Sequence, residues 1–212
     1  MPEAILPAAT PTGKWLCVLF SLITDTFLTP DNLVNIATQS TVLLLIALPM
    51  TLIIMTEGLD LSIGAVLTVT NVVLAMIAVH TGGVWLALLS ALCVGAVFGL
   101  ANGSLVAWLG IPPFVATLGT LGVAQGLALV LTDGQSVVGI PQGLQFFYSG
   151  TLLGVPLPLW ISVWVYLVFH CLLYHTRFGA YVFALGGNRE ALSLAGVRTR
   201  VYWIAVYVIG GV

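Results

Sequence analysis

One uninterrupted stretch of this chain, from Leu61 to Thr132, contains no Asp, Glu, Lys or Arg. A soluble domain covers its surface with charge, and about 25% of the residues of an ordinary globular chain are charged. Only 6% of the 212 residues here are charged, and 60% are hydrophobic. One crossing of the hydrocarbon core takes roughly 20 apolar residues, so this stretch has room for about three crossings. The composition therefore predicts a membrane protein.

Continuous apolar runs predict membrane-spanning helices and not the alternating strands of a β-barrel. The expected fold is an all-α, polytopic transmembrane helical bundle with about six complete spans and the start of a seventh. The predicted spans are Trp15–Leu28, a helix from Thr29 to about Thr56 with a kink or break at Pro49, Leu61–Val79, Val84–Leu109, Phe114–Leu131 and Leu152–Leu173. Asp133–Gly150, between the last two spans, is predicted to be a polar, glycine-containing loop.

The first and last apolar segments are short. Trp15–Leu28 would reach only about 21 Å as a helix, and Lys14 before it also permits a cleaved signal peptide, although Asp25 interrupts its far end. Val201–Val212 is too short to cross. We expect residues 1–212 to form a single transmembrane domain that is incomplete at its C-terminus; the alternative is a half-inserted terminal helix.

The basic residues predict the orientation. Lys14 precedes the first span, and the other four basic residues lie between Arg177 and Arg200, after the sixth. Six crossings return a chain to the side where it started, so both basic regions share the cytoplasmic side, as the positive-inside rule requires. We expect the N-terminus and the loop Arg177–Arg200 to face the cytoplasm.

No motif in the chain indicates catalysis. The sequence has no nucleophile elbow, P-loop or H-E-x-x-H motif, and its histidines lack the spacing of metal ligands. No basic patch with interleaved aromatic residues suggests a nucleic-acid partner. We expect a chain that is not an enzyme, with no catalytic residue, no metal and no cofactor, and any energy for transport must come from elsewhere.

Glycine spacing predicts where helices approach closely. Gly95, Gly99 and Gly103 recur every four residues on the fourth predicted span, and Gly122 and Gly126 repeat the pattern on the fifth. Small residues at this spacing line one helix face and let a neighbouring backbone come near.

Glu57 and Asp60 are the only acidic residues between Asp31 and Asp133. In one interpretation Asp60 caps a helix that starts at Leu61, and Glu57 stays hydrated. In the other, the segment from Glu57 breaks the helix inside the membrane and lines a polar passage, as discontinuous helices do in transporters. The residues alone leave both open.

Several neutral polar residues lie within the predicted spans. They either bond helix to helix or line a path for a hydroxylated solute, which needs neutral donors and acceptors. The candidates for a translocation path are Glu57, Asp60, Ser62, Asn71, Asn102, Thr117, Thr120 and Gln125.

The predicted cytoplasmic loop, residues 174–200, has local structure of its own. Gly186–Gly187 is a turn, Asn188 caps a short helix, and Gly196 ends it. That helix either lies on the lipid surface or docks a cytosolic subunit. The residues predicted to dock are Gly186, Gly187, Asn188, Arg189, Glu190, Ala191 and Leu192.

These motifs resemble the membrane permease subunit of bacterial ABC importers for monosaccharides, the ribose-type family. Glu57–Gly64 resembles the family signature G-[IL]-D-L-S-[VI]-G, with Glu57 where the family usually has Gly, and Arg177–Val197 resembles its cytoplasmic loop. Ala101–Gly103 and Pro113–Gly119 match between them. The resemblance covers nearly the whole chain in order, and the family's later spans are missing.

The resemblance implies a set of partners for an inner-membrane protein. They are a cytosolic ATPase dimer that binds the ATP, a second permease copy or homologue, and a periplasmic solute-binding protein. Closure of the ATPases would press on residues 188–195 and tip the helices between inward-open and outward-open states. The expected cargo is a monosaccharide or a sugar-like solute.

Two other classes compete with an importer permease. A proton- or sodium-coupled secondary transporter would use Glu57 and Asp60 as coupling carboxylates, and its uptake would collapse with an uncoupler. A membrane scaffold without transport would leave uptake unchanged when Asp60 is replaced by Asn.

Overall fold

The computed structural model describes residues 12–212, which form ten helices and one β-hairpin. Strands β1 (Thr151–Leu152) and β2 (Val155–Pro156) pair antiparallel. The helices are α1 (Thr12–Ile23), α2 (Pro30–Met55), α3 (Ile63–Thr81), α4 (Val84–Ala107), α5 (Pro113–Thr132), α6 (Gln142–Ser149), α7 (Leu157–Tyr174), α8 (Arg177–Gly187), α9 (Arg189–Leu194) and α10 (Thr199–Gly211).

Among the described residues, five helices are long and apolar enough to cross a membrane: α2, α3, α4, α5 and α7. They confirm the all-α membrane bundle and correspond to the second to sixth predicted spans. Helix α1 has 12 residues, about 18 Å, which is well short of a hydrocarbon core of about 30 Å. By length, then, five of the six predicted spans are complete, and the orientation that depends on six crossings stays a prediction.

The chain divides into two compact units at Ser40 and Thr41. In the first unit the rings of Phe20 and Phe27 stack with their centroids 5.7 Å apart. Helix α2 begins there as predicted: Pro30 is its first residue, and the backbone N–H of Asn32 donates to the Thr29 hydroxyl at 3.4 Å.

In the second unit α4 packs against α3, α5 and α10. Helix α2 continues through Pro49 without a break, so a break there is excluded and a kink at that residue stays a prediction. The buried core has two parts. One surrounds Leu52, Val182 and Tyr207, and the other joins α3 to α5 through Val69 and Ala124.

The glycines of α4 lie against α10. A Cβ at Gly99 would meet the carbonyl oxygen of Tyr207 and would come within 2.7 Å of Val208 Cα, so only glycine fits there. The prediction for α4 is confirmed. For Gly122 and Gly126 on α5 it stays a prediction, because no described atom lies within 4 Å of the corresponding Cβ positions.

The polar connection after α5 is more ordered than expected. Residues 133–150, predicted as a loop, include helix α6, and the hairpin β1–β2 follows. Its turn places Leu153 and Gly154 at φ of 55° and 78°, the paired left-handed conformation of a tight two-residue hairpin. Because Trp160 Nε1 donates to the carbonyl of Leu152 at 3.2 Å, the hairpin is tied to the start of α7.

Candidate translocation site

The chain between α2 and α3, residues 56–62, is a compact turn inside the second unit. Glu57 has φ of 59°, and the Gly58 N–H donates to the carbonyl of Ile53 at 3.0 Å. A Cβ at Gly58 would lie 2.9 Å from both the Tyr207 hydroxyl and the Ile53 side chain. Helix α2 ends here because Glu57 is left-handed and the N–H groups of Glu57 and Gly58 donate back to the carbonyls of Ile54 and Ile53, which is a Schellman C-cap. Gly58 then packs against α2 and α10, where a side chain would be crowded.

Asp60 is at the centre of a buried hydrogen-bond network. Its carboxylate, in a residue only 5% exposed, accepts from the Ser62 backbone N–H at 2.7 Å and from the Ser62 hydroxyl at 2.6 Å. Asn102 Nδ2 on α4 donates to the same hydroxyl at 2.9 Å. The carboxylate thus orders the residue that precedes α3, which starts at Ile63, two residues later than the predicted start at Leu61.

Thr117 connects α5 to the same turn. Its hydroxyl accepts from the Leu61 backbone N–H at 3.1 Å and lies 3.3 Å from the carbonyl oxygen of Leu59. Thr117, Ser62 and Asn102 are all at most 1% exposed. We call Asp60, Ser62, Asn102 and Thr117 the Asp60 cluster. It fastens three helices to one turn and leaves no face open to a solute.

Glu57 and Thr120 are two of the path candidates that lie outside this cluster. Glu57 is exposed, so the structure does not bring the two acidic side chains into one buried site. Thr120 bonds to the Thr117 carbonyl of its own helix at 3.1 Å. The first interpretation therefore fits the described chain better, because Asp60 orders the residue before α3 and Glu57 is exposed. A role of either acidic residue in a translocation path stays a prediction.

Two polar atoms at this end are buried without a hydrogen-bond partner: the Asn102 Oδ1 atom and the Tyr207 hydroxyl. Tyr207 is 1% exposed and is one residue that sequence reasoning missed. It occurs in an apolar segment, and no spacing or motif separates it from its neighbours. Only the approach of α10 to the turn reveals its position.

Asn71 and Gln125 line a separate, open cavity of about 770 Å³ between α3, α5 and residues 134–140. Asn71 is nine residues beyond Ser62, or roughly 13 Å further along α3. Both amides are exposed. We call this space the polar cavity. Its other polar lining residues, which sequence reasoning did not select, are Thr68, Thr132, Gln135 and Ser136.

The predicted docking segment contains the expected cap. Asn188 Oδ1 accepts from the Ala191 backbone N–H at 2.9 Å at the start of α9, and Leu192 is buried. Gly186 and Gly187 are the last residues of α8 and not a turn. A Cβ at Gly186 would collide with the carbonyl oxygen of Met55, so a side chain would not fit at this position.

Trp203 joins α9 to the turn between α2 and α3. The Arg189 guanidinium lies 4.2 Å from the centroid of the Trp203 ring, a cation–π distance. The indole Nε1 of Trp203 donates to the carbonyl of Thr56 at 3.2 Å. One side chain thus contacts both the predicted docking segment and the turn that holds Asp60.

Comparison with known proteins decides the family. The model of the permease component of branched-chain amino acid transport systems matches residues 32–212. This chain belongs to that family. The match covers α2 to α10, including the Asp60 cluster and the polar cavity, and it supports a multi-pass inner-membrane protein.

Individual relatives are sugar permeases, which confirms the resemblance to the ribose-type family. The chain is 37% identical to the ribose import permease protein RbsC of Escherichia coli, over 92% of this chain and 62% of the relative. It is 33% identical to the D-allose permease AlsC of the same species, over 93% and 61%, and 34% identical to the galactofuranose permease YtfT, over 100% and 68%.

The chain spans about 61–62% of the length of the first two relatives. No solved structure matches it.

Proposed function

We propose that this chain acts as the permease subunit of an ABC importer and carries a monosaccharide or sugar-like solute across the inner membrane. Its similarity to ribose, D-allose and galactofuranose permeases supports this function. The single observation that carries the proposal is the polar cavity, whose volume is in the range of small-molecule sites.

The chemistry of the cavity suits a sugar. Among the described residues that line it, none is charged. Asn71 and Gln125 each offer both donors and an acceptor, and each sugar hydroxyl is also both donor and acceptor. Aliphatic residues such as Val72 and Leu129 complete the wall and can pack on the apolar face of a ring.

Energy would come from ATP hydrolysed by a partner ATPase. The complete importer would also contain a second permease copy and a periplasmic binding protein. In this proposal the ATPase presses on α9, whose Arg189 rests on Trp203. Trp203 passes the displacement to the Thr56 carbonyl and so to the turn that anchors α3. Since α3 also supplies Asn71 to the cavity wall, a shift of this turn would change the access of the solute.

An ion-coupled secondary transporter is less well supported. Its coupling carboxylate would have to face the solute path, but no acidic residue lines the polar cavity in the described chain. The Asp60 carboxylate is already bonded to Ser62.

The test is solute uptake by the bacterium that makes this protein, with variants placed at the native locus. Cells carrying Asn71→Leu and Gln125→Leu should take up labelled D-ribose, D-allose or galactose at least 10-fold more slowly for whichever sugar the parent strain transports. Thr120→Val is the matched control, because Thr120 shares α5 with Gln125 but bonds only within its own helix.

Normal uptake of every such sugar by the double variant, at equal protein level, would contradict the cavity as the path. An uncoupler that abolishes uptake while cellular ATP is maintained would instead support ion coupling.

A further inference from the structure

Tyr207 and Asn102 bring two complementary polar atoms to the turn that holds Asp60. The Tyr207 hydroxyl can donate a hydrogen bond, and the Asn102 Oδ1 atom can accept one. Both residues are 1% exposed, and in the described chain both atoms are buried without a partner. Each atom has lost its bond to water and gained none in exchange, which raises the free energy of this conformation. A single bond from the hydroxyl to Oδ1 would satisfy both atoms.

The two side chains belong to helices that pack closely. A Cβ at Gly103, the residue after Asn102, would lie 3.3 Å from the Cβ of Tyr207. The Asn102 amide is bonded to the Ser62 hydroxyl at 2.9 Å, and the Tyr207 hydroxyl lies 2.9 Å from the Cβ position of Gly58. Because Gly58 and Ser62 belong to one turn, a shift of this turn carries the amide with it, while the backbone of Tyr207 stays against α4.

Tyr207 also lies next to the contact between α9 and the turn. It follows Trp203 by four residues, so the two side chains share one face of α10. The Trp203 indole donates to the carbonyl of Thr56 at 3.2 Å, and the Arg189 guanidinium of α9 lies against its ring. A displacement that reaches the turn through Trp203 therefore acts beside the Tyr207 hydroxyl.

We propose that Tyr207 is a positioning residue for transport: its hydroxyl donates to Asn102 Oδ1 in the conformation that the permease adopts when the partner subunit acts on α9, and this bond is open in the described conformation. A bond that forms in only one of two conformations shifts the equilibrium toward that conformation. The inference rests on the proposed function, because it requires two transport states.

A buried water molecule is the other way to satisfy the two atoms. It would bridge them in the described conformation and would give the second conformation no advantage. The packing favours the direct bond, because the Cβ position of Gly58 is 2.9 Å from both the Tyr207 hydroxyl and the Ile53 side chain. Protein atoms therefore already fill this side of the hydroxyl.

The test compares Tyr207→Phe with the parent chain in two measurements. In detergent micelles, the free energy of unfolding of the whole purified chain should stay the same or rise, because Phe keeps the ring and removes a hydroxyl that has no partner. In the bacterium that makes this protein, uptake of the sugar that the parent strain transports should fall by about 5-fold at equal protein level. That factor corresponds to the net contribution of one neutral hydrogen bond.

Tyr202→Phe is the matched control, because Tyr202 is also on α10 but its ring packs against Phe178 and Tyr181. It should change neither measurement. In an Asn102→Ala background, Tyr207→Phe should slow uptake by less than about 2-fold, because the acceptor of the bond is already gone. The same loss of about 5-fold in both backgrounds would mean that the hydroxyl serves another partner, and would overturn the proposal.

Two other results would also overturn it. Normal uptake in Tyr207→Phe would show that the hydroxyl forms no bond that matters for transport. A lower free energy of unfolding in Tyr207→Phe would show that the hydroxyl already has a partner, such as a bridging water. If no sugar uptake in the parent strain depends on this chain, the proposed function is rejected together with this inference, whereas normal uptake by both parent and variant rejects the inference alone.

Discussion

The Asp60 cluster and the polar cavity contain the same kinds of side chain and have opposite surroundings. Asn102 is 1% exposed and its amide donates to Ser62, whereas Asn71 is exposed on a cavity wall. Both sit in apolar helices, and sequence type does not distinguish them. What separates the two amides is packing: neighbouring helices cover Asn102, whose Nδ2 is bonded to Ser62, whereas Asn71 faces open space.

Helix packing explains why one region is closed and the other open. Gly99 and Gly103 of α4 let α10 come into backbone contact, and α10 brings Tyr207 over the turn that holds Asp60. No described neighbour covers Gly122 or Gly126 on α5. The glycines that matter are those with a partner helix, and the following predictions test this contrast.

The largest effect is expected for Gly99→Ala. Its Cβ would collide with the backbone of Tyr207 and Val208, which cannot move as a flexible side chain can, so we expect a loss of about 3 kcal/mol in the free energy of unfolding. Gly122→Ala should be neutral or stabilise by up to about 1 kcal/mol through helix propensity. Unfolding in mixed detergent micelles measures both, and equal effects would mean that α4 and α10 do not pack as described.

The next contrast exchanges amides for leucines. Asn102→Leu removes the donor to the Ser62 hydroxyl and places a branched side chain in a sealed site, at a cost of about 2 kcal/mol. Asn71→Leu should leave the free energy of unfolding unchanged within about 0.5 kcal/mol. The same micelle titration tests this pair. If Asn71→Leu destabilised the fold as much as Asn102→Leu, the cavity amide would be structural too.

Thr117→Val should have a smaller effect. The substitution keeps the shape but leaves the Leu61 N–H without its acceptor, which costs about 1 kcal/mol. Thr120→Val loses only a bond to its own helix and should cost less. Amide hydrogen exchange at Leu61 gives a local readout: exchange there should accelerate in Thr117→Val and stay unchanged in Thr120→Val.

The smallest effect is expected for Asp60→Asn. The amide oxygen of Asn can still accept from the Ser62 N–H and hydroxyl, while the cost of burying a charge disappears, so the free energy of unfolding should change by less than about 1 kcal/mol. Asp60→Leu, which has no acceptor, is the comparison and should cost more. A large loss in Asp60→Asn would show that the network requires the negative charge itself.

Hydropathy and local signals predicted the parts of the molecule that depend on near neighbours in sequence. They found the five long spans, the start of α2 at Pro30 and the cap by Asn188. They could not find the contact of Trp203 with Thr56, because residues so far apart in sequence meet only through helix packing. The same limit applies to Gly186, which looks like a turn residue but belongs to α8 and lies where a side chain would collide with Met55.

The same limit applied to the residues of the candidate site. The motif around Asp60 was identifiable from the sequence, but its sealed state was not, because that depends on α4, α5 and α10 arriving together. For the same reason the eight path candidates could not be sorted in advance into the four of the Asp60 cluster, the two that line the polar cavity, and Glu57 and Thr120, which belong to neither group.

The position of Trp203 has a mechanical consequence. Its indole is held on one edge by the backbone of the turn and on one face by a cation of α9, so a single rigid ring separates the surface helix from the buried turn. No long helix has to bend or slide to relay a push between them. The surface helix and the turn are therefore linked through one ring by a cation–π contact and a single hydrogen bond, and the loss of that ring would separate them.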